Sequence, residues 1–538
     1  MLFDIIVVLI YLFVITYLGY LGYKHTKSSA DYLVGGRKIH PLIMALSYGS
    51  TFISTSAIVG FGGAAGTLGM GLLWLTFLNI FMGIFIAFIV FGKRTRQMGH
   101  NLDAHTFPEL LATRFKSKFI QGFAGGIIFL FMPIYAAAVL KGGSDYIQAH
   151  FGISYEVSLF FFATIVAIYV WMGGIKGVMY TETFQGAIMF IGMIFLLVYS
   201  YASLGGITEA HTKLTNLFGH AEVQDQAAKL VKGGFMGWTS MPAFGSPIWW
   251  TLVTTIVMGV GIGVLAQPQL VLRFMTVKSN RELNRAVISG GIFIIMMTGV
   301  AFIVGALSNV FFFESTGKIS VVAAGGNDKI IPVFIKQYLP TWYGAIFLLT
   351  LIAAAMSTLS SQFHAMGSAA GRDVYQKAFN KKGNPLFISR TGVLVGILIS
   401  VVIAYFSGKL DVSMQIIATG TALFFGLCAA SFLPAYVSAL YIRKISTKAV
   451  ISGMIAGFVV GVFWIFFIHE KEASSLQLCN LLFDKPSLVK ETALAKLALV
   501  DPIIIALPVS TLVTAIVGVT AKSKLDEAHL DNCFKGIK

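Results

Sequence analysis

A chain of 538 residues with a mean hydropathy of +0.82 and 12% charged residues excludes a water-soluble protein. A formal net charge of +16 would suit a nucleic-acid partner, but the positions of the charges argue against one. Cys428, Cys479 and Cys533 give no disulfide framework, and the chain lacks a glycine-rich phosphate loop, paired histidine ligands and a cysteine–histidine motif, so enzymatic readings fail early.

Apolar runs of roughly 20 residues, long enough to cross a hydrocarbon core, recur from end to end. In chain order they predict thirteen spans, at about 2–23, 42–66, 70–92, 119–141, 153–172, 181–203, 247–272, 284–308, 341–368, 388–407, 411–441, 449–469 and 500–521. The first is too long and too uniformly apolar for a cleaved leader. The expectation is an all-α integral membrane protein, one polytopic domain over 1–538. With the N-terminus outside, the larger share of the 39 basic residues falls on inner connections, among them Lys24, Arg37, Arg94, Arg114, Lys176, Arg273, Arg281, Arg372 and Arg443. That excess of Lys and Arg on one side is the positive-inside signature. It predicts a cell-membrane protein with a cytoplasmic C-terminus, so the basic charge reports topology and no nucleic acid is expected. Two outer loops, about 204–246 and 309–340, are expected to carry short surface helices and no chemistry.

Polar residues stand where lipid should be at two places. In Leu351–Ser361, Ala354, Ser357, Thr358 and Ser361 fall at i, i+3, i+4 and i+7, one face of a helix, with Ser360 alongside. In the second span Ser50, Thr51, Ser54, Thr55 and Ser56 lie between Ala45 and Ile58. Such hydroxyls either bond their own helix backbone, or glue helix to helix, or, with free carbonyls, supply the hard neutral oxygens a desolvated cation needs. Helix-disturbing clusters, Gly60–Gly63 in the second span and Gly259–Pro268 in the seventh, either break their spans as a pair, the best sequence pointer to a transporter's midplane site, or serve close helix packing. Glu182 is read either as a charge at the membrane edge, solvated or paired with Lys176, or as a cation ligand or inner relay. Lys141 either snorkels outward or meets an anionic solute, and His364 is read as a buried, satisfied histidine.

The chain resembles the sodium:solute symporter family in several motifs that occur in order. These are D-Y-L-V-G-G-R at Asp31–Arg37, the Ser47–Gly60 cluster and G-G-I-K-G-V-M-Y-T-E-T-F-Q at Gly173–Gln185. Q-P-Q-L-V-L-R-F-M at Gln267–Met275, A-A-M-S-T-L-S-S-Q at Ala354–Gln362 and R-D-V-Y at Arg372–Tyr375 complete the set. The resemblance implies a LeuT-type fold of two inverted five-helix repeats, about 42–203 and 247–441, with 2–23 before them and 449–469 and 500–521 after. It implies a principal sodium held by Ser50, Ile53, Ala354, Ser357 and Thr358. A second sodium, as in the sialic acid carriers, would use Glu182, Ser357, Ser360 and Ser361, with Glu182 at the family's aspartate position.

The resemblance also places a solute near Phe52, Ser54, Tyr135, Val260, Val264 and Pro268, and Lys141 and Gln267 are further candidates for its site. Ser54, Tyr135 and Pro268 match the proline carriers, whereas Phe52 replaces an aspartate and Val260 and Val264 replace aromatic residues. Proline is thereby disfavoured, and a carboxylate-bearing metabolite of the pantothenate, monocarboxylate or amino-acid type is expected. The implied activity is sodium-coupled uptake by alternating access, with sodium as coupling ion and no organic cofactor. The alternatives are a proton-coupled carrier using Glu182, His364 or Lys141, and a channel or solute sensor on the same fold. The sequence leaves the number of sodium ions and the oligomeric state open.

Overall fold

The computed structural model describes residues 2–381, 383–409 and 416–537, so the first residues of the span predicted at 411–441 lie outside the described residues. Among the described residues the regular structure is helical, with one isolated bridge between Ile39 and Val277. The helices that matter below are α1 (Leu2–Lys24), α2 (Pro41–Phe52), α3 (Ser56–Leu68), α4 (Met70–Asn101), α5 (Lys118–Phe151) and α6 (Tyr155–Ser203). They continue as α7 (Pro247–Ala266), α8 (Pro268–Phe274), α9 (Asn280–Thr316), α10 (Thr341–Ala378), α11 (Pro385–Lys409), α12 (Ile416–Tyr441), α13 (Thr447–Ile468) and α14 (Pro502–Thr520).

Among the described residues, eleven helices are long and apolar enough to span a bilayer, and α2 with α3, bent by 53°, forms a twelfth crossing. The thirteenth is inside α6. Its 49 residues would run about 73 Å at 1.5 Å each, more than twice a hydrocarbon core of about 30 Å. Gly174, at φ 55° and ψ −159°, breaks it between the predicted spans 153–172 and 181–203. A side chain there would strike the Tyr32 ring, so the turn needs glycine twice over.

The first broken span is broken elsewhere than expected. The interruption is at Ile53–Thr55, where Ile53 takes extended angles of φ −93° and ψ 104°, and the Gly60–Gly63 cluster lies inside α3. Those glycines serve close packing, the other reading of small residues in membrane helices. A Cβ on Gly63 would collide with the Asn327 carbonyl, and Gly66 O accepts from Trp238 Nε1 at 2.8 Å and Asn309 Nδ2 at 2.7 Å. Both loops predicted to be outer carry the expected short helices and seat on the same end of this span. The second broken span is interrupted where predicted. Gln267 is extended at ψ 116° and Pro268 opens α8, as a residue before proline and a proline at a first helical turn should.

On the side predicted to be inner, the short helix Phe107–Phe115 is tied to the end of α10. Arg372 donates to both Glu109 oxygens at 2.9 Å, and Thr106 and Gln121 donate to Asp373 at 2.7 and 2.8 Å. Burial pushes the Glu109 carboxyl up, but His105 and Arg372 outweigh it and hold the group at about 2, below the usual 4.5. The stabilisation is therefore present above pH of about 4.5 and is lost as pH falls towards about 2. Thermal unfolding between about pH 6 and 3 should show a steeper acid loss in the parent than in Glu109→Gln. Equal slopes would remove Glu109 from the acid limb.

Candidate ion and solute site

The break after Phe52 leaves the last carbonyls of α2 without a continuing helix to bond. Side chains of α10 meet them there. Ser357 Oγ donates to Ser50 O at 2.8 Å and to Ala354 O at 3.1 Å, and Thr358 Oγ1 donates to Thr51 O at 3.0 Å. Ile53 caps the helix at the same level, and Ser54 Oγ accepts from Ser56 N at 3.1 Å to start α3. All of these residues are buried. Four of the five residues expected at the principal ion site, Ser50, Ala354, Ser357 and Thr358, are thus joined by hydrogen bonds, and Ile53 stands at the break beside them. The set offers carbonyl and hydroxyl oxygens only, the donors that suit a hard monovalent cation.

Glu182 is neither solvated nor paired with Lys176. Lys176 lies 2.5 Å from Asp31, and Glu182 is fully buried against Arg273, itself fully buried, at 2.7 Å. The expected placement of Arg273 on an inner connection is likewise corrected. α8 carries its guanidinium back into the protein, where Nε donates to Ser47 Oγ at 2.9 Å and Nη1 to the Gln269 carbonyl. Nη2 reaches Thr51 Oγ1 at 2.6 Å, both Glu182 oxygens at 2.9 and 2.7 Å, and Ser361 Oγ. Ser360 and Thr51 also donate to Glu182 Oε1, at 3.2 and 2.9 Å, and Ser47 and Ser361 bond the same carboxylate. Glu182, Ser360 and Ser361 are thus brought together, with Ser357 linked through Ser360 Oγ to Ser357 O at 2.9 Å. Sequence reasoning missed the arginine at the centre. A carboxylate deep in a membrane helix demands a counter-charge, and Arg273, one turn and a half after Pro268, was the available one.

A small cavity of about 20 Å³ opens beside the break. Phe52, Ser54, Tyr135 and Val260 line it as expected, together with Ile53, Asn79, Thr298, Thr421 and Phe425. The remaining solute candidates lie off it. Lys141 pairs with Asp145 at 2.5 Å, Val264 packs against Gly83, Gln267 accepts from Gln269 at 3.2 Å and Pro268 heads α8. Asn79 went unremarked although an asparagine in an apolar run is the same kind of signal as the hydroxyl clusters. No lining residue carries a charge. His364 is buried beside the Tyr32 ring, 5.4 Å between centroids, but it is not the satisfied histidine expected, since neither ring nitrogen makes a hydrogen bond among the described residues.

Comparison with known proteins agrees with this architecture. A model of the sodium:solute symporter family matches residues 32–457. Sodium/proline symporter 2 of Staphylococcus saprophyticus is 27% identical over 474 residues, covering 86% of each chain. The sodium/proline symporter of Staphylococcus aureus is 27% identical over 482 residues, again with 86% of each covered. Among solved structures, the substrate-bound outward-open state of a Na+-coupled sialic acid symporter superposes with a TM-score of 0.74 at 18% identity, covering 97% of this chain and 99% of that one. The fold is that of the LeuT-type transporters.

Proposed function

The chain belongs to the sodium:solute symporter family, and from that premise we propose that it couples Na+ entry at the α2–α10 junction to uptake of a compact monocarboxylate with an apolar body. One observation carries the reading. The hydroxyls of Ser357 and Thr358 bond the carbonyls of Ser50 and Thr51, and the next residues of that chain, Phe52, Ile53 and Ser54, line the cavity. An ion at the junction and a solute in the cavity would share the same stretch of backbone.

The lining supports the substrate class by what it offers: aromatic and aliphatic walls, the hydroxyls of Ser54, Thr298 and Thr421, and the amide of Asn79. With no cationic side chain in the lining, a carboxylate would find its counter-charge in the Na+ next to it. Solute binding would then require the ion, and by linkage the ion would bind better with solute present. Two repeats at about 42–203 and 247–441, each with an interrupted span, would suit alternating access. The relatives named as sodium/proline symporters make proline the competing solute; Phe52 and Val260, which line the cavity, weigh against it.

Proteoliposomes with an inward sodium gradient test the reading against a panel of labelled monocarboxylates and proline. Each sodium crossing 100 mV supplies about 2.3 kcal/mol, roughly 50-fold accumulation. Uptake that follows a proton gradient and ignores sodium would replace the ion, and uptake that stops at equilibration would make the protein a channel. Val260→Trp should fill the cavity and abolish solute uptake while sodium binding persists. Unchanged uptake would move the solute elsewhere.

A further inference from the structure

We propose that the guanidinium of Arg273 is the resident cation of the Glu182 cage, a tethered charge standing where a second sodium would otherwise bind, so that one free Na+ moves per cycle. The proposal rests on the sodium-coupled reading above and extends it to stoichiometry. Its basis is the surroundings of a single atom. Arg273 Nη2 has two hydrogens to donate, yet Thr51 Oγ1, Glu182 Oε1, Glu182 Oε2 and Ser361 Oγ all stand within hydrogen-bond reach of it. Four oxygens around one nitrogen exceed what two N–H groups satisfy and form a coordination shell, with the donor types of an alkali-ion site.

The shell draws on three helices besides the one that supplies the charge. Thr51 comes from α2, Glu182 from α6 and Ser361 from α10, with Ser47 and Ser360 bonded to the same carboxylate. Nothing about the cage is solvent-exposed: both charged side chains are 0% accessible. A sodium ion placed among the same oxygens would lie against the guanidinium, two like charges in a dry setting where repulsion is weakly screened. Arginine is suited to the post because its charge is permanent and its planar fork is held by Ser47 and the Gln269 carbonyl on its other nitrogens.

Equilibrium binding of radiolabelled sodium alone to the purified protein reads the answer without knowledge of the solute. The parent should bind one sodium per chain. Arg273→Gln should bind two, since it empties the cage and leaves the carboxylate and hydroxyls in place. Arg273→Lys, which keeps a tethered charge, should stay at one, as should Arg273→Gln combined with Glu182→Gln, which removes the anion that would attract the second ion. A parent binding two sodium ions, or Arg273→Gln still binding one, would overturn the proposal. A parent binding none would instead strike the sodium-coupled reading beneath it. Where Arg273→Gln cannot be purified folded, the parent's own count decides.

Discussion

Glu182→Gln is expected to cost about 3–5 kcal/mol of stability, the scale for removing one member of a buried ion pair. The loss comes from what is left behind. Arg273 would keep its charge, fully buried, with hydroxyls and one amide oxygen around it in place of a carboxylate. Glu182→Asp keeps the charge but withdraws it by a methylene, so it should fall between the parent and Glu182→Gln. Glu182→Gln with Arg273→Gln should be more stable than Glu182→Gln alone, because the orphaned charge has gone. Thermal unfolding of these proteins and of Arg273→Gln alone, in detergent and followed by the fluorescence of the seven tryptophans, gives the values. Additive effects of the two single exchanges would mean that the pair contributes nothing as a pair.

Thr358→Ala and Ser357→Ala should each raise the sodium concentration for half-maximal uptake at least tenfold, about 1.4 kcal/mol. Each removes a hydroxyl that now bridges α10 to the carbonyls of α2. Alanine favours a helix at least as well as either residue, so the helix itself should persist. Ser368→Ala is the control, because Ser368 Oγ bonds only within its own helix, to His364 O at 2.8 Å and Ala365 O at 3.1 Å. If both site exchanges left the sodium dependence at the parent's value, the junction would not be the ion site.

How far the sequence could be read follows from which forces are local. Spans were legible because crossing a bilayer imposes a length and an apolar composition that no tertiary contact can waive. The break at Gln267–Pro268 was legible because proline forbids a continuous ladder by its own chemistry. The break at Ile53–Thr55 was not, since none of its residues is a glycine or proline and the interruption is imposed from outside. The nearby Gly60–Gly63 drew attention for a property used in packing instead. The hydroxyls of Ser357 and Thr358 could be placed on one helix face by periodicity, and their partners in α2 lie 307 positions away in sequence. Arg273 was misplaced for the opposite reason. It precedes Lys278, Arg281 and Arg285, and a run of basic residues reads as one loop until the turn of α8 separates the first from the rest.

The interruption at Ile53–Thr55 also bears on how the protein could answer its ion. Isoleucine, serine and threonine have none of the backbone chemistry of glycine or proline that forces a helix to break, so the interruption here is held by contacts from outside it. Hydroxyls donated from α10 tip the balance by bonding carbonyls that winding would claim for itself. A cation competing for those same oxygens acts on the balance directly. A break held open by its neighbours is then a hinge whose stiffness those neighbours set.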